Sequence, residues 1–310
     1  MLTQIEGIHH ITSMARDALA TDRFITDTLG LRRVKKTVNF DAPDVYHLYY
    51  ANGTGKPGTV MTYFPFPNIV AGSRGAGEVG TTVYAVPQGS LDYWTRRLEA
   101  HGVAGVSRES RFGQTRLLFE GVNGDGFALN EVESDAREPW NGAGVADEAA
   151  IHGFHSASLV LRDRAGTQAL LSLMGYTPLG EEDGVLRMVR KGGNDANLID
   201  LETRPDAPVA RQGAGSVHHI AFAVANDEAQ IAVREELVAQ GFQITPVIDR
   251  DYFHSIYFRA PGGVLFEIAT NDPGFASDED MAHLGEALKL PRQYAHLRER
   301  LEASLPKIGG

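Results

Sequence analysis

The sequence predicts an α+β fold that is built from four βαβββ modules. Two apolar, strand-like runs carry a histidine doublet, His9–His10 near the start of the chain and His218–His219 about two hundred residues later. The chain repeats one order of elements four times, namely a strand, a helical run and further strands. Two copies of the doublet and four copies of the element order indicate one physical unit that is used repeatedly.

Each module can be assigned to a stretch of about 50 to 60 residues. In the first module, the strand GIHHITSMA is followed by a helical run that Gly30 ends, because glycine accepts the left-handed conformation found after helices. Modules two to four begin at GTTVYAVP, GFHSASLVL and SVHHIAFAV, and their helical runs also end in glycine. The remaining runs, among them DVYHLYYA, TRLLFEG, NLIDLET and GVLFEIAT, are rich in strand-forming residues.

A linker rich in glycine and acidic residues, WNGAGVADEAA, separates the second module from the third. It predicts two open, barrel-like domains, an N-terminal one at 1–147 with modules one and two, and a C-terminal one at 148–272 with modules three and four. The remaining segment, 273–310, is charged and helical in pattern, and Pro291 divides it. We interpret it as a helical flank rather than a fifth module.

Composition narrows the classes of partner and ligand. The 310 residues carry a formal charge of -11, and such a surface would repel phosphate backbones and anionic headgroups, so we expect neither nucleic acid nor membrane as a partner. No apolar run approaches a membrane span and the N-terminus lacks a signal-peptide pattern, so we expect a cytoplasmic protein. The absence of cysteine leaves nitrogen and oxygen ligands for any metal, and eleven histidines are available.

One histidine of each doublet is expected to face a concave interior. Successive strand residues point to opposite faces, so both rings of a doublet cannot reach one site. His219 shares its face with small alanine side chains, which leave open space, whereas His218 shares its face with large residues that suit packing against helices. His10 is equivalent to His219, so the pattern predicts these two as metal ligands. We expect His9 and His218 to brace the metal strands or to reach the pocket edge.

Glu267 is the third predicted ligand, because an ionised carboxylate in the apolar strand GVLFEIAT is costly unless it is paired or bound to a metal. The equivalent positions of the other modules hold Thr62, Asn130 and Asp200. Imidazoles occur at the ligand positions of modules one and four alone, so these modules should pair around the metal. Two histidines and one carboxylate suit non-heme Fe(II) with open coordination positions, and a zinc site has the same ligand count, so both metals stay open.

Tyr257 is predicted to lie beside Glu267. The turn APGG joins the last two strands, and counting outwards from it places the two residues opposite each other. Arg250 precedes Tyr257 by seven residues and could offer a cation to a phenolate. Thr12 shares the ligand face of His10. These residues predict a set of polar groups around a substrate that is bound at the metal.

These motifs resemble the vicinal oxygen chelate superfamily, and within it the hydroquinone ring-cleaving dioxygenases. The similar stretches span nearly the whole chain and are GIHHITSMA, TVNFDAP, YHLYYA, PGTVMTYFPFP, GSVHHIAFAV, DRDYFHSIYFRAPGGVLFEIATNDPGF and LGEALKLP. The resemblance implies Fe(II), with Mn(II) as an alternative, on His10, His219 and Glu267. The outer set that it implies around the substrate is His9, Thr12, His218, Arg250 and Tyr257.

For function, the resemblance implies an enzyme that uses O2 to open the ring of hydroquinone-type para-diols and gives hydroxymuconic-semialdehyde-type products. Its partners would be a small aromatic substrate and O2, and a homo-oligomer is compatible with the sequence. Extradiol catechol dioxygenases are one alternative, but they take their ligands from modules three and four, where Ser156 stands in place of a histidine. A non-catalytic, glyoxalase-like resistance protein that binds a metal or ligand is the other alternative.

Overall fold

A computed structural model describes residues 1–309, and within them each module has the predicted order of one strand, one α-helix and three strands. Module one contains β1 (Ile8–Ala15), α1 (Ala18–Arg23), β2 (Arg32–Val38), β3 (Tyr46–Ala51) and β4 (Val60–Pro65). Module two contains β5 (Glu78–Pro87), α2 (Leu91–Ala100), β6 (Ser107–Arg111), β7 (Gln114–Glu120) and β8 (Gly126–Val132). Module three contains β9 (Gly153–Leu161), α3 (Ala165–Leu173), β10 (Thr177–Glu182), β11 (Val185–Val189) and β12 (Leu198–Thr203). Module four contains β13 (Val217–Val224), α4 (Asp227–Ala239), β14 (Ile248–Asp249), β15 (Phe253–Arg259) and β16 (Leu265–Pro273).

The strands form two curled, eight-stranded sheets. One has the order β14-β15-β16-β13-β1-β4-β3-β2 and the other has the order β10-β11-β12-β9-β5-β8-β7-β6. The first strands of two modules pair antiparallel at the centre of each sheet, β1 with β13 and β5 with β9. The prediction of four βαβββ modules is therefore confirmed, and so is the pairing of module one with module four.

Each sheet takes one module from either side of residue 147. The linker between β8 and β9 contains a short 3-10 turn, Asp147–Ala149. The division of the chain into domains at 1–147 and 148–272 stays a prediction. In the structure, each sheet joins strands from both sides of residue 147. None of the helices in residues 1–309 is long and apolar enough to cross a membrane.

The first helical run is shorter than its apolar pattern suggests. The α1 helix ends at Arg23 and continues as a π-helical turn, Phe24–Thr28. Gly30 then adopts a φ of 72°, which is the left-handed conformation that the sequence predicts after this run. An added Cβ on Gly30 would lie 2.4 Å from a methyl group of Val145, so the close approach of the linker also requires glycine here.

The central strand pair contains two β-bulges, and they fall on the histidine doublets. Where β1 pairs with β13, the extra residues are His9 on β1 and His218 on β13. A bulge interrupts the alternation of side chains along a strand. The expectation that the rings of one doublet point to opposite faces is therefore wrong, because the rings of His9 and His10 lie 5.0 Å apart and those of His218 and His219 lie 5.1 Å apart.

The C-terminal flank differs from the predicted helical segment. It contains the 3-10 turns Phe275–Ser277, Met281–His283 and Arg292–Leu297, and the α5 helix (Arg298–Ser304). Much of it lies against β2, the edge strand of the first sheet, where Leu288 forms a bridge with Lys36. Buried Lys35 of β2 also forms ion pairs with Asp278 and Glu279. Part of the flank's backbone therefore forms hydrogen bonds with the open edge of β2 instead of the hydrogen bonds of a helix.

Candidate metal centre

Three side chains from three strands meet on the concave face of the first sheet. His10 comes from β1, His219 from β13 and Glu267 from β16, and all three are buried. The two Nε2 atoms lie 3.2 Å apart, and Oε2 of Glu267 lies 3.4 Å from Nε2 of His10 and 2.9 Å from Nε2 of His219. Ligand atoms about 2.1 Å from one divalent ion and at right angles lie about 3 Å apart, so this spacing fits three positions of one coordination sphere.

The hydrogen bonding of Glu267 also fits a metal ligand. Its Oε1 accepts a hydrogen bond from Oγ of Ser255, whereas its Oε2 is buried and receives no hydrogen bond. Burial alone would raise the pKa of Glu267, but the adjacent imidazoles of His10 and His219 hold that pKa well below its usual range. A buried, ionised oxygen without a donor beside two imidazole nitrogens is the donor set that a divalent cation satisfies.

Hydrogen bonds between neighbouring imidazoles determine which nitrogen of each ligand is free. Nδ1 of His10 lies 2.9 Å from Nδ1 of His9, and Nε2 of His9 lies 3.1 Å from the carbonyl oxygen of Thr270. A neutral His9 that donates to this carbonyl carries its proton on Nε2, so its Nδ1 accepts from His10. His10 then has a lone pair on Nε2, facing the centre, and His9 acts as a brace for the ligand.

His219 is oriented in the same way, with Nδ1 2.8 Å from Nδ1 of His218. His218 differs from His9 in that its ring lines a cavity instead of bonding a backbone carbonyl. Burial, followed by the neighbouring histidine of each doublet, lowers the pKa of both His9 and His218 to about 3, so both rings are neutral near pH 7. A neutral His218 that accepts through Nδ1 presents Nε2–H to the cavity as a donor.

An aromatic cavity of about 800 Å³ opens at the two ligand histidines. Its walls are mostly apolar, and the polar residues that line it include His10, His219, Arg250 and Tyr257. The apolar part is formed by Met14, Phe40, Phe64, Phe66, Ile69, Phe253 and Leu265. A cavity of this composition suits a small aromatic molecule with a polar group directed at the metal ligands.

Tyr257 lies at the predicted place. It pairs directly with Glu267 in the antiparallel register of β15 and β16, and its ring packs edge-on against His219 at 5.7 Å. Arg250 lies over the tyrosine ring, 5.6 Å from its centroid, and 3.4 Å from a carboxylate oxygen of Asp41. Burial and the charge of Glu267 raise the pKa of Tyr257, so its hydroxyl stays protonated and is available as a donor.

Thr12 is brought to the centre but does not line the cavity. Its Oγ1 lies 2.8 Å from Nε2 of His219 and 2.9 Å from Oγ1 of Thr62. Thr62 occupies the position in β4 that Glu267 occupies in β16, as the alignment of the modules predicts. The fourth position around the centre is therefore a hydroxyl that is already engaged in hydrogen bonds.

Three residues near the centre were not predicted, namely His47, Tyr49 and Ser255. His47 lines the cavity and bonds Thr62, Tyr49 bonds His47, and Ser255 bonds Glu267. The available signal was a polar residue two positions before a tyrosine in each of two strands, YHLYYA and FHSIYFR. Side chains two apart share a face of a strand, so both polar residues lie on the face that carries the ligands.

The second sheet has the same bulges but not the same ligands. In the pairing of β5 with β9, the extra residues are Gly80 and His155, so Ser156 stands where His219 stands in the first sheet. His155 bonds Ser156 Oγ through Nδ1 at 3.0 Å. The histidine at the bulge is therefore a structural feature that both sheets share, and the ligand histidine that follows it belongs to the first sheet.

The carboxylate position of module three serves a different purpose. Asp200 is fully buried in β12 and forms a two-point ion pair with Arg187, at 2.7 and 2.8 Å. The guanidinium supplies the positive charge that this carboxylate needs. Among residues 1–309, the group of three potential ligands that could hold a metal ion is His10, His219 and Glu267.

Comparison with known proteins agrees with this fold and centre. Residues 126–268 match the family described as the glyoxalase/bleomycin resistance protein/dioxygenase superfamily. Relatives that are 33% to 41% identical align with 96% to 98% of the chain, so the chain belongs to this superfamily and the resemblance drawn from its motifs is confirmed. MhqO of Bacillus subtilis, which is named as a ring-cleaving dioxygenase, is 41% identical over 306 residues, with 98% of this chain and 97% of that protein covered.

A second relative is the chlorohydroquinone/hydroquinone 1,2-dioxygenase of Sphingobium indicum, which is 36% identical over 308 residues, with 96% of this chain and 95% of that protein covered. A crystal structure of a Bacillus subtilis protein described as a dioxygenase superposes with a TM-score of 0.95 at 40% identity and 98% coverage of both chains. Glyoxalase I from Zea mays shares the fold, with a TM-score of 0.65 at 13% identity, 86% of this chain and 92% of that chain.

Proposed function

We propose that this protein is an Fe(II)-dependent ring-cleaving dioxygenase that incorporates both atoms of O2 into hydroquinone-type substrates. The observation that carries this proposal is a centre of three protein ligands, with Thr62 engaged elsewhere, at the end of an aromatic cavity. Three protein ligands leave positions for a substrate oxygen and for O2. The products would be of the hydroxymuconic-semialdehyde type, as expected for cleavage beside a hydroxylated carbon.

Iron is the metal that we assign to His10, His219 and Glu267, with Mn(II) as the alternative. Bound Fe(II) would supply the open coordination positions and the one-electron chemistry that reaction with O2 requires. The ligand histidines suit this role because burial lowers the pKa of His219 and keeps its imidazole neutral. The hydrogen bonds that His9 and His218 accept from Nδ1–H of His10 and His219 would keep the Nε2 atoms of those two residues directed at the centre.

The residues around the cavity would bind and orient a para-diol. A para-diol cannot chelate a metal through both hydroxyls, so one oxygen must be held at the centre and the ring by the aromatic walls. Tyr257 would donate its hydroxyl proton in a hydrogen bond to that oxygen, and Arg250 would stabilise negative charge as it develops. His218, which presents Nε2–H to the cavity, is the group that we assign to proton transfer.

Anaerobic loading with Fe(II), followed by measurement of O2 uptake, tests the proposal. Hydroquinone and methylhydroquinone should be turned over and should outcompete catechol, whereas a Glu267→Gln variant should consume no O2 above background. Efficient cleavage of catechol without activity on hydroquinones would assign the chain to the extradiol class. Absence of uptake with all three diols in iron-replete protein would favour a protein that only binds a metal or ligand.

A further inference from the structure

A chain of four buried hydrogen bonds leads away from the centre. The hydroxyl of Tyr49 lies 2.8 Å from Nδ1 of His47, and Nε2 of His47 lies 2.8 Å from Oγ1 of Thr62. Thr62 is 2.9 Å from Thr12, and Thr12 is 2.8 Å from Nε2 of His219. All members are buried, and Tyr49 does not line the cavity.

The direction of this chain follows from the partners at its outer end. In residues 1–309, His47 is the one hydrogen-bond partner of the Tyr49 hydroxyl, which is fully buried. If Tyr49 accepted from His47, its own proton would be buried without an acceptor, which is costly, so Tyr49 donates to Nδ1. A neutral His47 then carries its proton on Nε2 and donates to Thr62. Burial, followed by the charges of nearby histidines, lowers the pKa of His47 well below its usual range and agrees with a neutral ring.

The directions of the two remaining hydrogen bonds, from Thr62 to Thr12 and from Thr12 to His219, follow in the same way. A Thr62 hydroxyl that accepts from His47 has its proton free for Thr12, and a Thr12 hydroxyl that accepts from Thr62 has its proton free for Nε2 of His219. When that lone pair is committed to a cation, the Thr12 proton is left as a donor at the centre. Without the Tyr49 hydroxyl, the direction of donation along these hydrogen bonds can reverse. Thr12 would then present a lone pair to the centre, where the wild type presents a proton.

The internal symmetry of the first sheet supports a role for this series of hydrogen bonds. Tyr49 pairs with Thr62 across β3 and β4 as Tyr257 pairs with Glu267 across β15 and β16. Module four thus directs a carboxylate at the metal position, and module one directs a hydroxyl. The hydroxyl side is supported by two residues that the outer set around the substrate does not include, His47 and Tyr49.

We propose that Tyr49, His47 and Thr62 form a one-way hydrogen-bond relay that holds the Thr12 hydroxyl as a donor toward a substrate oxygen at the His10–His219–Glu267 centre. The three are positioning residues, since each donates to another member of the relay: Tyr49 to His47, His47 to Thr62, and Thr62 to Thr12. This inference rests on the proposed function for its substrate. The direction of the relay does not, and it can be measured in the protein without substrate.

The tautomer of His47 tests the direction. In metal-free protein labelled with 15N-histidine, the long-range 15N–1H spectrum should show His47, assigned by its loss in His47→Gln, as the Nε2–H tautomer. Tyr49→Phe should shift this signal toward a mixture that includes Nδ1–H, because the donor that fixed Nδ1 is gone. An Nδ1–H tautomer in the wild-type protein would overturn the relay, whatever the enzyme's activity.

Turnover tests the consequence. In iron-replete protein with hydroquinone, Tyr49→Phe and Thr62→Val should lower kcat/KM roughly fivefold to fiftyfold at unchanged iron content, and Thr62→Ser should restore most of the loss. Tyr84→Phe is the matched control, because its hydroxyl is also buried but has no hydrogen-bond partner and lies in the second sheet. Equal rates for Tyr49→Phe and Tyr84→Phe would overturn the positioning role. A wild-type protein without O2 uptake would overturn the proposed function and leave the tautomer to decide the relay.

Discussion

Tyr257 stands directly opposite Glu267 in the register of the last two strands, so a phenol and the carboxylate that we propose as a metal ligand share one face of the sheet. Counting residues outwards from the APGG turn predicts this pairing, and the strand register in the structure confirms it. It places a protonated hydroxyl next to a buried negative charge, which is the arrangement that raises the pKa of Tyr257 beyond the effect of burial. The hydroxyl of Tyr257 is therefore protonated near neutral pH and available as a donor.

Replacing Tyr257 by Phe should lower turnover and leave the metal in place. The substitution keeps the ring that packs against His219 and removes the hydroxyl, so iron content and thermal stability should stay near wild type. Loss of one hydrogen-bond donor to a developing oxyanion should lower kcat/KM on the order of tenfold to a thousandfold. Steady-state O2 uptake with hydroquinone measures the effect. An unchanged rate would show that Tyr257 only packs, and loss of iron would show that it orients Glu267.

Removal of any one ligand should abolish stable metal binding. His10→Ala, His219→Ala and Glu267→Ala each leave two protein ligands of three, and metal analysis after desalting should show substoichiometric iron in a folded protein. Retention of full iron by His10→Ala would contradict the role of module one in the centre. Circular dichroism of the same samples separates loss of metal from loss of fold.

Asp200→Asn is the counterpart of Glu267→Gln in the second sheet. It should leave the iron content unchanged and lower the free energy of unfolding by about 3 kcal/mol, because Arg187 stays buried without its carboxylate. Chemical denaturation measures this loss. A variant with normal stability but less iron would mean that the two sheets divide their roles differently.

Ser255→Ala tests the group that holds Glu267. Its hydroxyl donates to Oε1, the carboxylate oxygen that does not face the histidines, and removal should weaken metal affinity roughly tenfold to a hundredfold. Competition with a chelator measures the affinity. Ser158→Ala, which removes a buried hydroxyl without a partner in the second sheet, should leave it unchanged. Equal affinities in the two variants would show that Glu267 is oriented by its strand alone.

The pH dependence of stability should reveal the burial of His155, which belongs to β9 of the second sheet. Burial, followed by the charge of Arg187, lowers its pKa from 6.5 to about 3. Below pH 6.5 the unfolded chain binds a proton that the folded chain does not, so stability falls as the pH is lowered toward 3, by about 1.4 kcal/mol per pH unit for this group. His155→Gln should therefore give a shallower slope between pH 6 and pH 4 in thermal or urea unfolding. A slope equal to wild type would show that His155 is protonated in the fold.

Local pattern was sufficient for the parts of the site that lie within one module. Repeats, helix ends and strand alternation predict the four modules, and hairpin counting predicts the place of Tyr257 opposite Glu267. The bulges at His9 and His218 escaped the same reasoning, because a bulge is defined against a partner strand and the partner lies some two hundred residues away. Alternation alone therefore placed His10 and His219 on one face, as the structure has them, and misplaced their neighbours His9 and His218.

The role of His47 and the contact of the C-terminal flank with β2 were not predicted, for a related reason. The bond from His47 to Thr62 crosses from β3 to β4, and nothing in YHLYYA itself distinguishes a relay histidine from a packed one. The flank is charged and has a helical pattern, but its backbone meets the free edge of β2 at Leu288. Competition between a short helix and an open sheet edge depends on the assembled fold rather than on local propensity.

The pairing of β1 with β13 sets the moment in protein synthesis at which the centre can exist. His10 and His219 are separated by 209 positions, so a nascent chain that has passed the first two modules contains one ligand of three. Closing so long a segment is entropically costly and slow compared with local folding. The proposed metal would therefore be captured by a polypeptide that has been translated through Glu267, because a shorter translation product lacks one of the three residues that could hold it.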